Sequence, residues 1–229
     1  MSNSTPHPRV RPFPAKSPAA KAEANSFAGV SFKELEAHLD VFRYGAFELT
    51  DAVRPAYDLK VVPRQGFRQD EYCDSQADSR IPVVMASATR GQLFDLFIDM
   101  LAPLGEVVDV VLETSHDGDG GHRDLLREHI DAPVLKSILY DFEDLLLHDG
   151  CTGIAVMNTA KRQEVQLDEH KLVIGYGSPL EQFERILISH DVYPEEDIRF
   201  LTEAEHVHSS SDEFGRQFES LLFRLGIDG

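Results

Sequence analysis

Six side chains in two groups have the residue types of a metal site: His116, Asp117, Asp119 and His122 in the first, His206 and His208 in the second. Neutral imidazoles beside carboxylates are the donor set of a borderline divalent ion such as zinc. Each group follows an apolar run of strand character, Val108 to Glu113 before the first and Ile198 to Glu203 before the second. If those runs are equivalent strands of a duplicated fold, a pseudo-twofold axis could bring their ends together, with Glu205 alongside. That would be a divalent-metal enzyme. The competing reading is plainer, because ten histidines on an acidic surface can serve as solvated or capping groups. His-x-His and His-x-x-x-x-x-His are weak metal spacings by themselves.

Asp117, Asp119 and Glu128 also occupy the first, third and twelfth places of a calcium-loop pattern. Gly121 stands where a ligand belongs and His122 where the turn glycine belongs, so the pattern fails at its centre. Other templates do worse. The chain has no Gly-x-Ser-x-Gly elbow, no phosphate loop ending in Gly-Lys-Ser/Thr and no His-Glu-x-x-His helix, and Gly175 to Leu180 breaks the dinucleotide fingerprint at its third glycine. Ser178 reads as a helix cap rather than an anion site, and Cys151 has no base that the sequence can name. No cofactor beyond such a divalent metal is implied.

The elements that must position these residues fall into a βαβα passage that occurs twice, at Ile81 to Gly150 and at Lys171 to Gly226. Val83-Val84-Met85 leads through Thr89 to Phe94 and Ile98, as Leu172-Val173-Ile174 leads through Ser178 to Phe183 and Leu187. Each copy closes on Phe-Glu-x-Leu-Leu, at Phe142 and at Phe218. Glu106 to Thr114, with Val107, Val108, Val110, Val111 and Leu112, predicts a central strand, parallel to the Ile81–Ala86 strand across a helical crossover. Between the copies, Gly153 to Met157 and Glu164 to Leu167 predict a hairpin.

Ahead of the copies, Ser31-Phe32-Lys33-Glu34 matches a capping box and opens a short helix. Tyr57 to Val62 reads as a strand, Gln65 to Arg80 as a polar loop, and Asp124 to His129 as the start of a helix. If Leu59 to Val62 matches Ile154 to Met157, each half becomes ββαβα. The expected fold is therefore α+β, an α/β sandwich with two ββαβα-like repeats sharing a mixed, helix-covered sheet, ferredoxin-like in arrangement. The segments are a basic Pro/Ala/Ser-rich disordered tail over residues 1–26, a first half over 27–150 and a second over 151–229.

Charge bounds the partners. The first 26 residues hold four bases and one acid, which leaves 18 bases against 39 acids, or −21, on the rest of a chain whose total is −18. Such a field repels nucleic acid and anionic membranes and favours a basic protein partner, or else a homodimer of ordinary kind. No apolar run nears the roughly 18 residues of a membrane span, no secretory signal opens the chain, and Cys73 and Cys151 do not make a disulfide framework. The expectation is a cytoplasmic, non-catalytic binding or regulatory protein acting through protein–protein contact, with the metal enzyme as its alternative.

Overall fold

The computed structural model describes residues 25–74, 79–116 and 122–227. Most of the expected tail and the Asp117–Gly121 stretch lie outside the described residues. Among the described residues six α-helices are present: α1 (Phe32–Leu39), α2 (Arg90–Met100), α3 (Ala132–Asp141), α4 (Glu143–His148), α5 (Glu181–Ser189) and α6 (Asp212–Leu225). Four short or leading strands are β1 (Arg43–Tyr44), β2 (Phe47–Glu48), β3 (Val53–Pro55) and β4 (Gly66–Asp74). They are followed by β5 (Ser79–Ser87), β6 (Val107–Thr114), β7 (Arg123–Asp131), β8 (Thr152–Asn158), β9 (Gln163–Leu167), β10 (Val173–Tyr176) and β11 (His206–His208). The protein is α+β.

Seven strands pair in the order β4-β5-β10-β9-β8-β6-β7, every neighbour antiparallel. The sheet is thus antiparallel throughout, not mixed. Four antiparallel steps separate β5 from β6, so the two run the same way on either side of α2, but the β8-β9-β10 meander lies between them. β6 is next to the edge rather than central, and its apolar run alternates: Val108, Val110 and Leu112 are buried while Val107 and Val111 are not. A run of valines fits one wet face when β-branched residues occupy both sides of the pleat.

All the buried helix stripes fall on one face of the sheet. Leu93, Phe97 and Met100 of α2, Leu135 and Leu139 of α3, Phe183 and Leu187 of α5, and Phe218 and Leu221 of α6 pack on Val84, Val110, Ile154, Val165 and Val173. Phe183 lies flat on β10 because residue 175 is glycine, where a Cβ would stand 3.2 Å from the ring. Burying that ring stabilises the fold by about 2–3 kcal/mol.

The second copy departs from the first after α5. Ile198 to Leu201 does not return to the sheet as a strand. It crosses the opposite face, where Ile198 and Phe200 cover Val83, Leu172, Ile174 and Tyr176. Chain 193–195 starts this strap on β4, with the Phe67 amide donating to the Tyr193 carbonyl at 3.0 Å and the Glu195 amide to the Phe67 carbonyl at 2.8 Å. The strap ends in β11, which pairs with β3 in a small separate sheet. The ferredoxin-like repeat arrangement is not confirmed by this strand order.

Local expectations divide by the strength of their signal. The Ser31–Glu34 capping box forms as read. Residues 57–62 are turn and bend, and the strand there is β3; Gln65 to Arg80 contains β4 instead of a loop; Asp124 to His129 belongs to β7 instead of a helix. In β7 the pairing with β6 satisfies backbone groups that a one-turn helix would have left open. α5 starts at Glu181 with Leu180 in the capping position, so Ser178 is not its cap. Thr89 flanks α2 but turns its hydroxyl away to accept from the Glu48 amide at 2.9 Å.

Candidate metal centre

Two peptide segments of the second half meet at the ends of the central strands β9 and β10 of the main sheet. The first is the β9–β10 turn. Asp168 shapes it by accepting the His170 amide at 3.0 Å and the Leu172 amide at 2.8 Å on one carboxylate oxygen, while the Lys171 amide donates to the Asp168 carbonyl at 3.0 Å. Lys171 takes φ 64° to close the turn. The second segment is β11. Alternate residues of a strand share a face, so His206 and His208 project together. A spacing that is weak in a loop becomes specific on a strand.

The three imidazoles of His170, His206 and His208 lie with ring centroids 4.7 to 5.0 Å apart, each partly buried. One ligand nitrogen from each falls within 4.8 Å of the others. Their Nδ1 atoms all face away. His170 Nδ1 donates to Asp168 Oδ2 at 3.0 Å, His206 Nδ1 to the Ala204 carbonyl at 2.8 Å, and His208 Nδ1 to the Gly150 carbonyl at 2.7 Å. Carbonyl and carboxylate oxygens only accept, so every Nδ1 carries a proton and every Nε2 is the basic nitrogen. This is the outer support that fixes imidazole tautomers at metal centres, including a carboxylate–histidine pair that raises ligand basicity.

His170 Nε2 and His206 Nε2 stand 3.1 Å apart. With both Nδ1 protonated, a hydrogen bond between them needs one ring to be an imidazolium. Burial disfavours charge on His170, but the Asp168 carboxylate outweighs it and raises its pKa, so of the three rings His170 takes up an extra proton most readily. Burial lowers the other two, His208 to about 4. A tetrahedral ion with bonds of about 2.0–2.1 Å places adjacent nitrogens roughly 3.3–3.4 Å apart, close to the 3.1 Å of the His170–His206 pair.

Lys171 completes the setting. It is 6 % exposed, donates to the Thr152 carbonyl at 2.8 Å, and burial brings its ammonium down to about 8 against the pull of Asp168 and Asp149. On the strap-side face of the sheet, Gln166 donates to Glu113 at 2.9 Å, and burial with the nearby Asp124, Asp168 and Glu164 charges pushes the Glu113 carboxyl up to about 8.

Of the residues picked out by sequence, His206 and His208 are in this cluster. His116 is not. It sits just past β6, where its Nε2 donates to Asp149 Oδ2 at 2.8 Å in a separate group with Cys151. His122 is exposed, 3.9 Å from Glu169, and Asp117 and Asp119 lie outside the described residues. The two histidine groups do not merge across a twofold axis, because the second copy has no strand equivalent to β6. His170 and Asp168 escaped the sequence reading. Their one local signal is an Asp-x-His turn between two strands, and nothing in the sequence links it to residues 36 positions away.

Cys73 and Cys151 are free thiols, and among the described residues no helix is long and apolar enough to cross a membrane. Comparison with protein-family models, with curated proteins and with solved structures finds no match for this chain.

Proposed function

We propose that this protein is a divalent-metal enzyme whose metal, zinc by preference, is held by Nε2 of His170, His206 and His208. The observation that carries the reading is the set of three Nδ1 donors, each fixed on an oxygen so that three basic nitrogens face one another. Three protein nitrogens with a fourth position left to solvent is the pattern of catalytic rather than structural zinc. The ion would supply a Lewis acid that brings a water pKa toward about 7, which suits hydrolysis or hydration. Asp168 holds His170 in register, and Lys171 lends a buried positive charge near the site.

Zinc titration of the purified full chain tests this, with His206→Ala/His208→Ala as the comparison and hydrolysis of an activated aryl ester as the activity probe. One fewer tight equivalent in the double variant than in the parent chain, with ester turnover that follows loading of the equivalent it loses, is the expected result. No binding, or binding unchanged in the variant, overturns the site. Binding without turnover overturns the enzyme.

A second reading keeps the expectation of a binding or regulatory protein. It is favoured by the sheet face beyond the strap, where Val107 and Leu126 are exposed beside Asp109, Glu113 and Asp124. A basic protein partner or a second copy of the chain fits that face better than nucleic acid or an anionic membrane. Light scattering that returns a monomer mass removes the homodimer. Two free thiols suit a cytoplasmic setting.

A further inference from the structure

The group around His116 has a composition that the three-histidine centre lacks. His116, Asp149 and Cys151 each offer one ligand atom, and the three atoms lie within 4.8 Å of one another. The backbone sets this spacing. The β6–β8 ladder pairs Thr114 with Thr152, and it continues one step as the Ser115 amide donates to the Cys151 carbonyl at 3.0 Å. Cys151 is therefore the residue just before β8, and His116 stands two residues beyond β6. Asp149 reaches the same point from the end of α4.

Asp149 is fully buried. Its carboxylate accepts from His116 Nε2 at 2.8 Å, from the Thr152 hydroxyl at 2.5 Å and from the Cys151 amide at 3.3 Å. The nearby cation, Lys171, gives its hydrogen bond to the Thr152 carbonyl instead. Buried carboxylates are paired, hydrogen-bonded or bound to metal, and this one takes its hydrogen bonds from an imidazole, a hydroxyl and a backbone amide. Cys151 is partly exposed, which leaves a route from solvent to its sulfur. His116 Nδ1 lies beside α6, 3.8 Å from where a Cβ on Gly215 would stand.

We propose that His116 Nε2, an Asp149 carboxylate oxygen and Cys151 Sγ form a second metal site, distinct from the three-histidine centre and suited to a thiophilic divalent ion. Binding releases the thiol proton to solvent, and the imidazole proton moves from Nε2 to Nδ1. The His116–Asp149 contact opens by about half an ångström to reach the roughly 3.3 Å between donors around a tetrahedral ion. A thiolate in the donor set directs the site to zinc or cadmium over magnesium or calcium. The proposal shares no ligand with the three-histidine centre, so either can fail alone.

Cobalt(II) titration of the full chain tests it, because only a thiolate ligand gives a sulfur-to-cobalt charge-transfer band in the near ultraviolet. The expected result is a band that saturates at one equivalent in His206→Ala/His208→Ala, disappears in Cys151→Ser and persists in Cys73→Ser. His116→Ala should weaken the cobalt affinity behind the band at least tenfold. In the Cys73→Ser background, zinc should slow alkylation of Cys151 by iodoacetamide at least tenfold. No band, a band that survives Cys151→Ser, or a Cys151 alkylation rate indifferent to zinc overturns the proposal.

Discussion

At His170, His206 and His208 the proton sits on Nδ1 of every ring, held by an oxygen behind it, whereas at His116 it is Nε2 that donates, and it donates into the cluster. The first arrangement has its basic nitrogens aimed inward before any ion arrives. The second must exchange a tautomer and lose a thiol proton. Both clusters sit on the same stretch of chain, since the Gly150 carbonyl holds His208 while its neighbours Asp149 and Cys151 belong to the other group. Ligand identity alone therefore does not rank two sites; the hydrogen bonds behind the ligands do.

The contrast can be broken most severely by removing the inward nitrogens. His206→Ala/His208→Ala in the Cys151→Ser background should abolish the zinc-induced stabilisation seen in Cys151→Ser alone, worth about 4 kcal/mol when free zinc is a thousandfold above Kd, as read from denaturant midpoints with and without metal. Gly150→Ala strikes both clusters at once. A Cβ there would stand 2.4 Å from the Ala52 carbonyl oxygen and 2.8 Å from that of Ser209, both backbone atoms. The expected cost is about 2–3 kcal/mol in urea unfolding, with weaker metal binding at both sites.

Asp168→Asn sharpens the comparison instead of breaking it. It should lower zinc affinity of the three-histidine centre about 10–100-fold by calorimetry and leave the cobalt–thiolate band unchanged. Equal loss at both sites would mean that Asp168 acts through the fold and not through His170.

The smallest effect is expected at Glu113, on the sheet outside both clusters. Its folded pKa of about 8 lies above the ordinary 4.5, so between those values the folded chain holds a proton that the unfolded chain has lost. Stability from this group then falls as pH rises through that window, and the cost is complete above about 8. Glu113→Gln should leave stability unchanged near pH 4 and raise it by on the order of 1 kcal/mol near pH 9, less than the whole shift because the face is partly open to solvent. A flat difference between the two pH values would show that the carboxyl stays ionised.

Much of the fold was legible where periodicity is long or a cap is unambiguous. Leu93 to Leu101 and Phe183 to Leu187 gave their helices, Gly153 to Leu167 its hairpin, and Ser31 its capping box. Short polar strands were not legible. β7 alternates too weakly to be told from a helix start, and β4 is a strand because β5 offers it nine paired residues, not because its own residues demand it. The duplicated pattern misled for a related reason. Ile198 and Phe200 have the spacing of a strand, yet the antiparallel meander had already filled the sheet, and the exposed apolar patch on its other face was the surface left to cover.

Half of the three-histidine cluster was readable, the half on one strand. His206 and His208 stand two apart, and residue type makes them candidate ligands; their acidic, histidine-rich surroundings, the two free thiols and the absence of a hydrolase or nucleotide motif are likewise properties of the chain as written. Pairing them with His170 and excluding His116 depended on where the strap crosses the sheet and which strand β11 joins. Sequence sets what each residue can donate. Only packing over long separations decides which lone pairs meet, because the free energy that routes the chain comes from apolar burial far from the nitrogens it brings together.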